Sequence, residues 1–209
     1  MARQAQHWWD DAEGRKLHEP CAMLENLWDM SNIQQDEGMV RTAAAAVADG
    51  EGIRVATVAD REAIRALVNQ AFDVERFLKK GGGDRLQGDG ELETLFERGT
   101  FLVKEADGTL VGCVYVEPRG ERAYLGLLSI DPARQGGGLG RQLNLAAEAF
   151  AREQGCKWMD LRVVSPRAEQ LLPIYLRLGY TDQGREEYPE LLVEKMAIPG
   201  YFILMAKAL

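Results

Sequence analysis

The residues best suited to chemistry in this chain of 209 residues are glycines. Gln135-Gly136-Gly137-Gly138-Leu139-Gly140 follows an apolar stretch and precedes an amphipathic one, so it reads as a turn from strand to helix. A helix start offers unpaired backbone N–H groups and a partial positive charge. Glycines let such a backbone close around a phosphate without obstruction. Gly136, Gly138, Gly140 and the N–H of Arg141 form a candidate phosphate cradle, with the guanidinium groups of Arg134 and Arg141 as added charge. A P-loop ends in Lys-Ser or Lys-Thr, where this chain has Arg141-Gln142. A dinucleotide fingerprint needs a further glycine at the place of Arg141 and would open the chain. The pattern that remains is Gln/Arg-x-x-Gly-x-Gly/Ala, satisfied by Gln135, Gly138 and Gly140. A glycine-rich turn that holds no ligand is the alternative.

Other chemistry is restricted. The only histidines are His7 and His18, so a Ser-His-Asp or Cys-His unit in the main body would have to borrow from the first residues. Histidine-rich metal catalysis is disfavoured for the same reason, and no metal is expected. Cys21, Cys113 and Cys156 are odd in number and widely spaced, which suggests buried thiols in place of disulfides or a zinc knuckle. The net charge of −8 disfavours nucleic acid as a partner. No apolar run approaches the ~20 residues that span a bilayer, and charges interrupt the opening residues, against a secretory signal. A cytoplasmic protein without a membrane partner is expected.

The elements that must position the glycine turn alternate between strand and helix from residue 53 onward. Residues 53–56 read as a strand. Thr57-Val58-Ala59-Asp60 resembles a capping box, and Ile64, Leu67, Val68, Ala71 and Phe72 share one face of the helix that follows. Gly81-Gly82-Gly83 is a loop before a short helix over 91–98. Residues 100–106 and 109–117 are strands joined by Asp107-Gly108, a strong hairpin signal. Pro118-Arg119-Gly120 turns into a strand over 122–130. A helix over 141–154 buries Leu143, Ala146, Ala147 and Phe150 and stops at Gly155. A strand over 158–164, a helix over 166–178 closed by Gly179, and a last strand over 201–209 complete the order. This is a mixed α/β (α+β) pattern: a hairpin-rich first half, then one strand-helix-strand crossover. Residues 1–50 differ. Leu17, Cys21, Leu24 and Trp28 mark one helical face and residues 41–48 are alanine-rich, so a helical extension is expected there, ahead of one domain over 51–209.

Leu128-Ser129-Ile130-Asp131-Pro132-Ala133-Arg134-Gln135-Gly136-Gly137-Gly138-Leu139-Gly140-Arg141 closely resembles the acetyl-CoA motif of the GNAT superfamily of N-acyltransferases. Leu172-Pro173-Ile174-Tyr175-Leu176-Arg177-Leu178-Gly179-Tyr180 resembles its second motif, and the resemblance covers residues 53–209. It implies a mostly antiparallel central sheet, splayed at the acetyl-CoA site and flanked by helices. It further implies that backbone groups at Leu128, Ser129 and Ile130 bind the pantetheine arm like an added strand, with Ser165 contributing across the splay. The pyrophosphate would lie on Arg134, Gln135, Gly136, Gly137, Gly138, Leu139, Gly140 and Arg141.

The same resemblance implies direct attack of an amine on the thioester of acetyl-CoA, which needs no enzyme nucleophile and agrees with the scarcity of histidine. Tyr175 matches the place of the general acid that protonates the departing thiolate and touches the cofactor. A base or ordered water must deprotonate the acceptor. Some relatives use a glutamate where this chain has Tyr124, so Tyr124, with Glu117 or Glu121 acting through water, are the candidates on the sheet. Asp73 and Glu75 are expected to border the acceptor site. The expected function is N-acetyl transfer to a primary amine of a small molecule or peptide. The alternative is a non-catalytic acyl-CoA-binding or regulatory module, and pairing into a homodimer through residues 1–50 is a further expectation.

Overall fold

The computed structural model describes residues 9–10, 16–17 and 52–209. The chain divides into two compact units, residues 1–36 and 37–209. In the first, Trp9–Asp10 pairs antiparallel with Lys16–Leu17. Leu17, expected to open a helical face, is thus in extended backbone, while the rest of that face and the alanine run lie outside the described residues.

In the second unit the strands are β1 Ile53–Val55, β2 Thr100–Ala106, β3 Thr109–Arg119, β4 Arg122–Ile130, β5 Trp158–Val164, β6 Thr181–Glu187 and β7 Tyr201–Ala208. The helices are α1 Arg61–Ala71, α2 Asp89–Arg98, α3 Leu139–Glu153, α4 Ala168–Arg177 and α5 Glu190–Lys195. One sheet runs in the order β1-β2-β3-β4-β5-β7-β6. It is antiparallel throughout except between β4 and β5. Alternation along the strands builds two cores. Phe101, Val103, Cys113 and Tyr115 join Ile64, Leu67 and Val68 of α1 and Leu92 of α2. Leu102, Val114, Val116, Ala123 and Leu125 join Leu143, Ala147 and Phe150 of α3. The β2–β3 turn places Asp107 and Gly108 both at positive φ, as a two-residue hairpin requires. Asp60 caps the start before α1, accepting from the backbone N–H of Thr57 at 2.7 Å and from Arg54 at 2.8 Å.

Two features were absent from the sequence reading. β6 is an exposed polar edge strand that pairs with β7. α5 follows it, and the chain then returns beside the turn after α1, where Lys79 bridges Met196.

A buried polar network ties α3 to β7. Asn144 and Glu148, one helical turn apart on α3, are fully buried. Lys207 of β7 donates to both carboxylate oxygens of Glu148 at 2.7 Å. Asn144 donates to Glu148 at 2.6 Å and accepts from the hydroxyl of Tyr180 at 3.2 Å. Arg152 also approaches Glu148, at 3.7 Å, but removing Lys207 takes the nearest cation from a buried charge. Lys207→Met is expected to lower the unfolding free energy by about 3–5 kcal/mol in urea titration, and Glu148→Leu in the same chain should recover much of that loss.

Candidate active site

The site begins with a defect in β4. Register between β3 and β4 shifts, with Cys113 opposite Ser129 but Tyr115 opposite Gly126. Leu127 and Leu128 therefore face one residue of β3, which is a β-bulge. Leu127 lies at φ 48°, a conformation strained for a branched side chain. The Ser129 hydroxyl donates to the Leu127 carbonyl at 3.0 Å and braces the bulge.

The bulge turns β4 away from β5. The two strands pair only at Arg122–Trp158, Ala123–Met159 and Tyr124–Asp160, although β4 continues to Ile130 and β5 to Val164. Arg122 clamps Asp160 through Nε and Nη2 of its guanidinium at the closed end. Beyond Tyr124 the chain has a wedge: β4 keeps its bonds to β3 on one side and, among the described residues, has no strand partner on the other. Leu128, Ser129 and Ile130 lie along it, and Ser165 follows the end of β5. The Ser165 hydroxyl accepts from the backbone N–H of Tyr201 at 3.1 Å, so this side chain serves the start of β7.

At the open end of the wedge, Asp131 accepts from the backbone N–H of Ala133 at 3.0 Å and starts the turn Pro132–Arg134. Gly136 and Gly138 then take φ of 87° and 81°, which the other residues disfavour. Gly138 is the residue before α3, and no side chain caps that helix start. The helix begins two residues earlier than expected, at Leu139, so its first N–H groups belong to the turn itself. Space in front of Gly136 and Gly138 is open. Arg134 meets Asp107 at 3.2 Å in a solvent-exposed pair. An open, uncapped helix start of this form fits a pyrophosphate.

Tyr175 stands on the last turn of α4. The end of that helix explains the Leu-Gly-Tyr sequence: Gly179 at φ 92° donates to the Leu176 carbonyl at 3.0 Å, and Tyr180 donates to the Tyr175 carbonyl at 3.0 Å. These are the paired bonds of a Schellman closure. Tyr180 inserts into the buried network, and its ring meets that of Tyr175 edge-on at 5.8 Å. Burial, followed by the proximity of Tyr124 and Glu75, pushes the Tyr175 hydroxyl up to about 12, so it holds its proton at neutral pH. Tyr124 is half-buried beside it at the closed end of the wedge, under the guanidinium of Arg119 at 4.9 Å.

The glutamates differ sharply. Glu117 is buried, not the solvated surface residue its hairpin position suggests. It accepts from Arg98 at 2.9 Å, from Tyr115 at 3.0 Å and from Arg119 at 3.0 and 3.2 Å. Burial opposes its ionisation, but Arg119 and Arg98 outweigh burial and hold the carboxyl below its ordinary range. A carboxylate so saturated is a poor proton acceptor near neutrality. Glu121 is exposed and paired with Lys157 at the β3–β4 turn. Asp73 is exposed and paired with Arg76 at 3.1 Å. Glu75 is half-buried, contacts Arg167 at 3.1 Å, and burial raises its carboxyl above the ordinary range. Arg167 and Tyr188, which share this region with Glu75, were not singled out from the sequence. Nothing in their spacing marks them, because both lie on connections between elements.

Among the described residues no group of three or more His, Cys, Asp or Glu is placed to hold a metal ion. No helix there is long and apolar enough to cross a membrane.

The acetyltransferase (GNAT) family model matches residues 61–180, a span that holds both motifs and the wedge. The mycothiol acetyltransferase of Saccharomonospora viridis is 30% identical over 143 residues, covering 62% of this chain and 46% of that protein. The chain thus spans less than half the length of this curated relative. Among solved structures, the ribosomal-protein-alanine N-acetyltransferase of Brucella melitensis is similar with a TM-score of 0.60 at 23% identity, over 75% of this chain and 99% of that one. The yncA protein of Salmonella typhimurium, solved with its cofactor acetyl-CoA, gives a TM-score of 0.58 at 21% identity, over 75% and 92%. At these identities the structures establish the fold. With the matched span covering more than half of its residues, the chain belongs to the acetyltransferase (GNAT) family.

Proposed function

We propose that the chain moves the acetyl group of acetyl-CoA to a primary amine of a small molecule or peptide. The observation that carries this reading is the wedge, with an uncapped glycine turn at its open end. The β4 edge at Leu128, Ser129 and Ile130, with the backbone at Ser165, would hold the pantetheine arm by strand-like bonds. Residues 134–141 would hold the pyrophosphate, and the exposed Arg134–Asp107 pair is weak enough to yield to it. Bound there, acetyl-CoA supplies an activated acyl group. The acceptor nitrogen would bond to the acetyl carbon, and as the C–S bond breaks Tyr175 would protonate the departing sulfur.

The name of the curated relative supports the reaction class. The small-molecule or peptide character of the acceptor is part of the proposal. Thiol release from acetyl-CoA, followed across a panel of amines, tests it. Tight acetyl-CoA binding with turnover of none of them would favour a non-catalytic binding module instead.

Tyr175→Phe is expected to lower turnover by about 100-fold while calorimetric affinity for acetyl-CoA stays within a few fold. Lost affinity with normal turnover would remove Tyr175 from the acid role. Gly138→Asp is expected to abolish calorimetric binding of acetyl-CoA, because it strains the left-handed backbone and sets a carboxylate in the phosphate cradle. Unchanged binding would exclude the cradle.

A further inference from the structure

Acetyl transfer to an ammonium needs a group that takes a proton, and neither Glu117 nor the tyrosines suit that task. Glu117 is saturated by arginines, and Tyr124 on the sheet and Tyr175 on α4 are phenols. A different carboxylate meets the requirement. Glu75 stands on the turn Asp73–Leu78 after α1, and Arg167 on the turn Ser165–Arg167 after β5. They meet through Arg167 Nη1 and Glu75 Oε1 at 3.1 Å, their side chains 17% and 20% exposed. Arg167 is itself aimed by Gln170, to which its Nε donates at 2.8 Å. Among the described residues the hydrogen bond to Glu75 is made at Oε1.

The surroundings of Glu75 are mixed in charge. Arg167, Arg85 and Lys79 act on it as cations, and its charge in turn opposes ionisation of the Tyr175 and Tyr188 hydroxyls. Arg85 is engaged with Glu91 at 3.2 Å and Lys79 with the carbonyl of Asp84 at 2.5 Å, so Arg167 is the direct contact. The Tyr188 hydroxyl supplies an independent sign of a ligand. Tyr188 is 6% exposed, and its hydroxyl lies beside Ser165 without a well-formed hydrogen bond. Such buried groups normally find a partner.

We infer that Glu75 is the catalytic base for the acceptor amine, with Arg167 as its positioning residue and the Tyr188 hydroxyl as a contact for the acceptor. The inference rests on the acetyltransferase reading above. Glu75 takes one proton from the acceptor ammonium and becomes a neutral carboxyl. The freed nitrogen lone pair forms the C–N bond to the acetyl carbon. As the C–S bond breaks, its electron pair leaves on sulfur, and Tyr175 protonates the thiolate. The second nitrogen proton restores Tyr175, and Glu75 releases its proton to solvent, so the amide, the free thiol and one proton are the products.

The test is the pH dependence of kcat/KM for an amine that the wild-type chain acetylates. The ionised form of Glu75 is the active one, so the rate falls as pH drops through its pKa. Glu75→Gln keeps the acceptor oxygen for Arg167. It is expected to lower kcat/KM by about 100-fold or more, to erase the acidic limb, and to leave calorimetric acetyl-CoA affinity unchanged. Arg167→Gln removes the cation that favours the ionised carboxyl, so the limb should move to higher pH. A Glu75→Gln chain with wild-type rate and limb overturns the inference while leaving acetyl transfer intact. A wild-type chain that binds acetyl-CoA but acetylates no amine overturns the enzyme reading and this role with it. A readout without turnover is the carboxyl-carbon NMR signal that Glu75→Gln removes. Titration of that signal above the ordinary glutamate range supports the role, and titration at or below that range overturns it.

Discussion

The pairing of β4 with β5 stops after three residue pairs, and the rest of the site depends on that stop. A parallel pair normally continues while both backbones remain straight. Here Leu127 takes a left-handed conformation, an extra residue enters β4, and the strand turns out of the plane that β5 follows. The strain is held by ordinary forces on both sides: β3 remains bonded along β4, the Ser129 hydroxyl braces the bulge, and Arg122 with Asp160 closes the base. Without the bulge, β4 and β5 would zip together and leave no wedge. The glycine turn would then be an ordinary helix start with no groove leading to it.

A second constraint sets the tyrosine. The paired bonds at the end of α4 leave little freedom to Tyr175, since Tyr180 is anchored in the core by Asn144 and, through it, by Glu148 and Lys207. The backbone that carries Tyr175 is therefore referred to a charge pair in the interior. Such pairs contribute little net stability compared with apolar packing. Here the pair spans α3 and β7 and reaches the end of α4, which gives it a role in geometry.

Much of the fold was legible because its elements obey simple periods. The hairpin of β2 and β3 followed from alternation around Asp107-Gly108, and α1 and α3 from single apolar faces. β6 was not legible because it carries no alternation: Thr181, Asp182, Gln183, Arg185 and Glu187 are all exposed, and its place comes from pairing with β7. The glycine turn was legible because φ above zero leaves a compositional trace. The environment of the glutamates left none. Glu117 and Glu75 are the same residue type, and their partners across the fold, Arg98 for one and Arg167 for the other, help to separate them.

β6 has a consequence for how the sheet meets other chains. Its exposed surface is charged, and its register shifts between Asp182 and Gly184, which disrupts the ladder a foreign strand would need. At the opposite margin β1 has only three residues. Both outer rims of the sheet are thus poor templates for another polypeptide. The free backbone that remains faces inward, along β4 past Tyr124, in a slot bounded by β5. A sheet built this way discourages growth from outside, and its unpaired stretch lies within it, between two of its own strands.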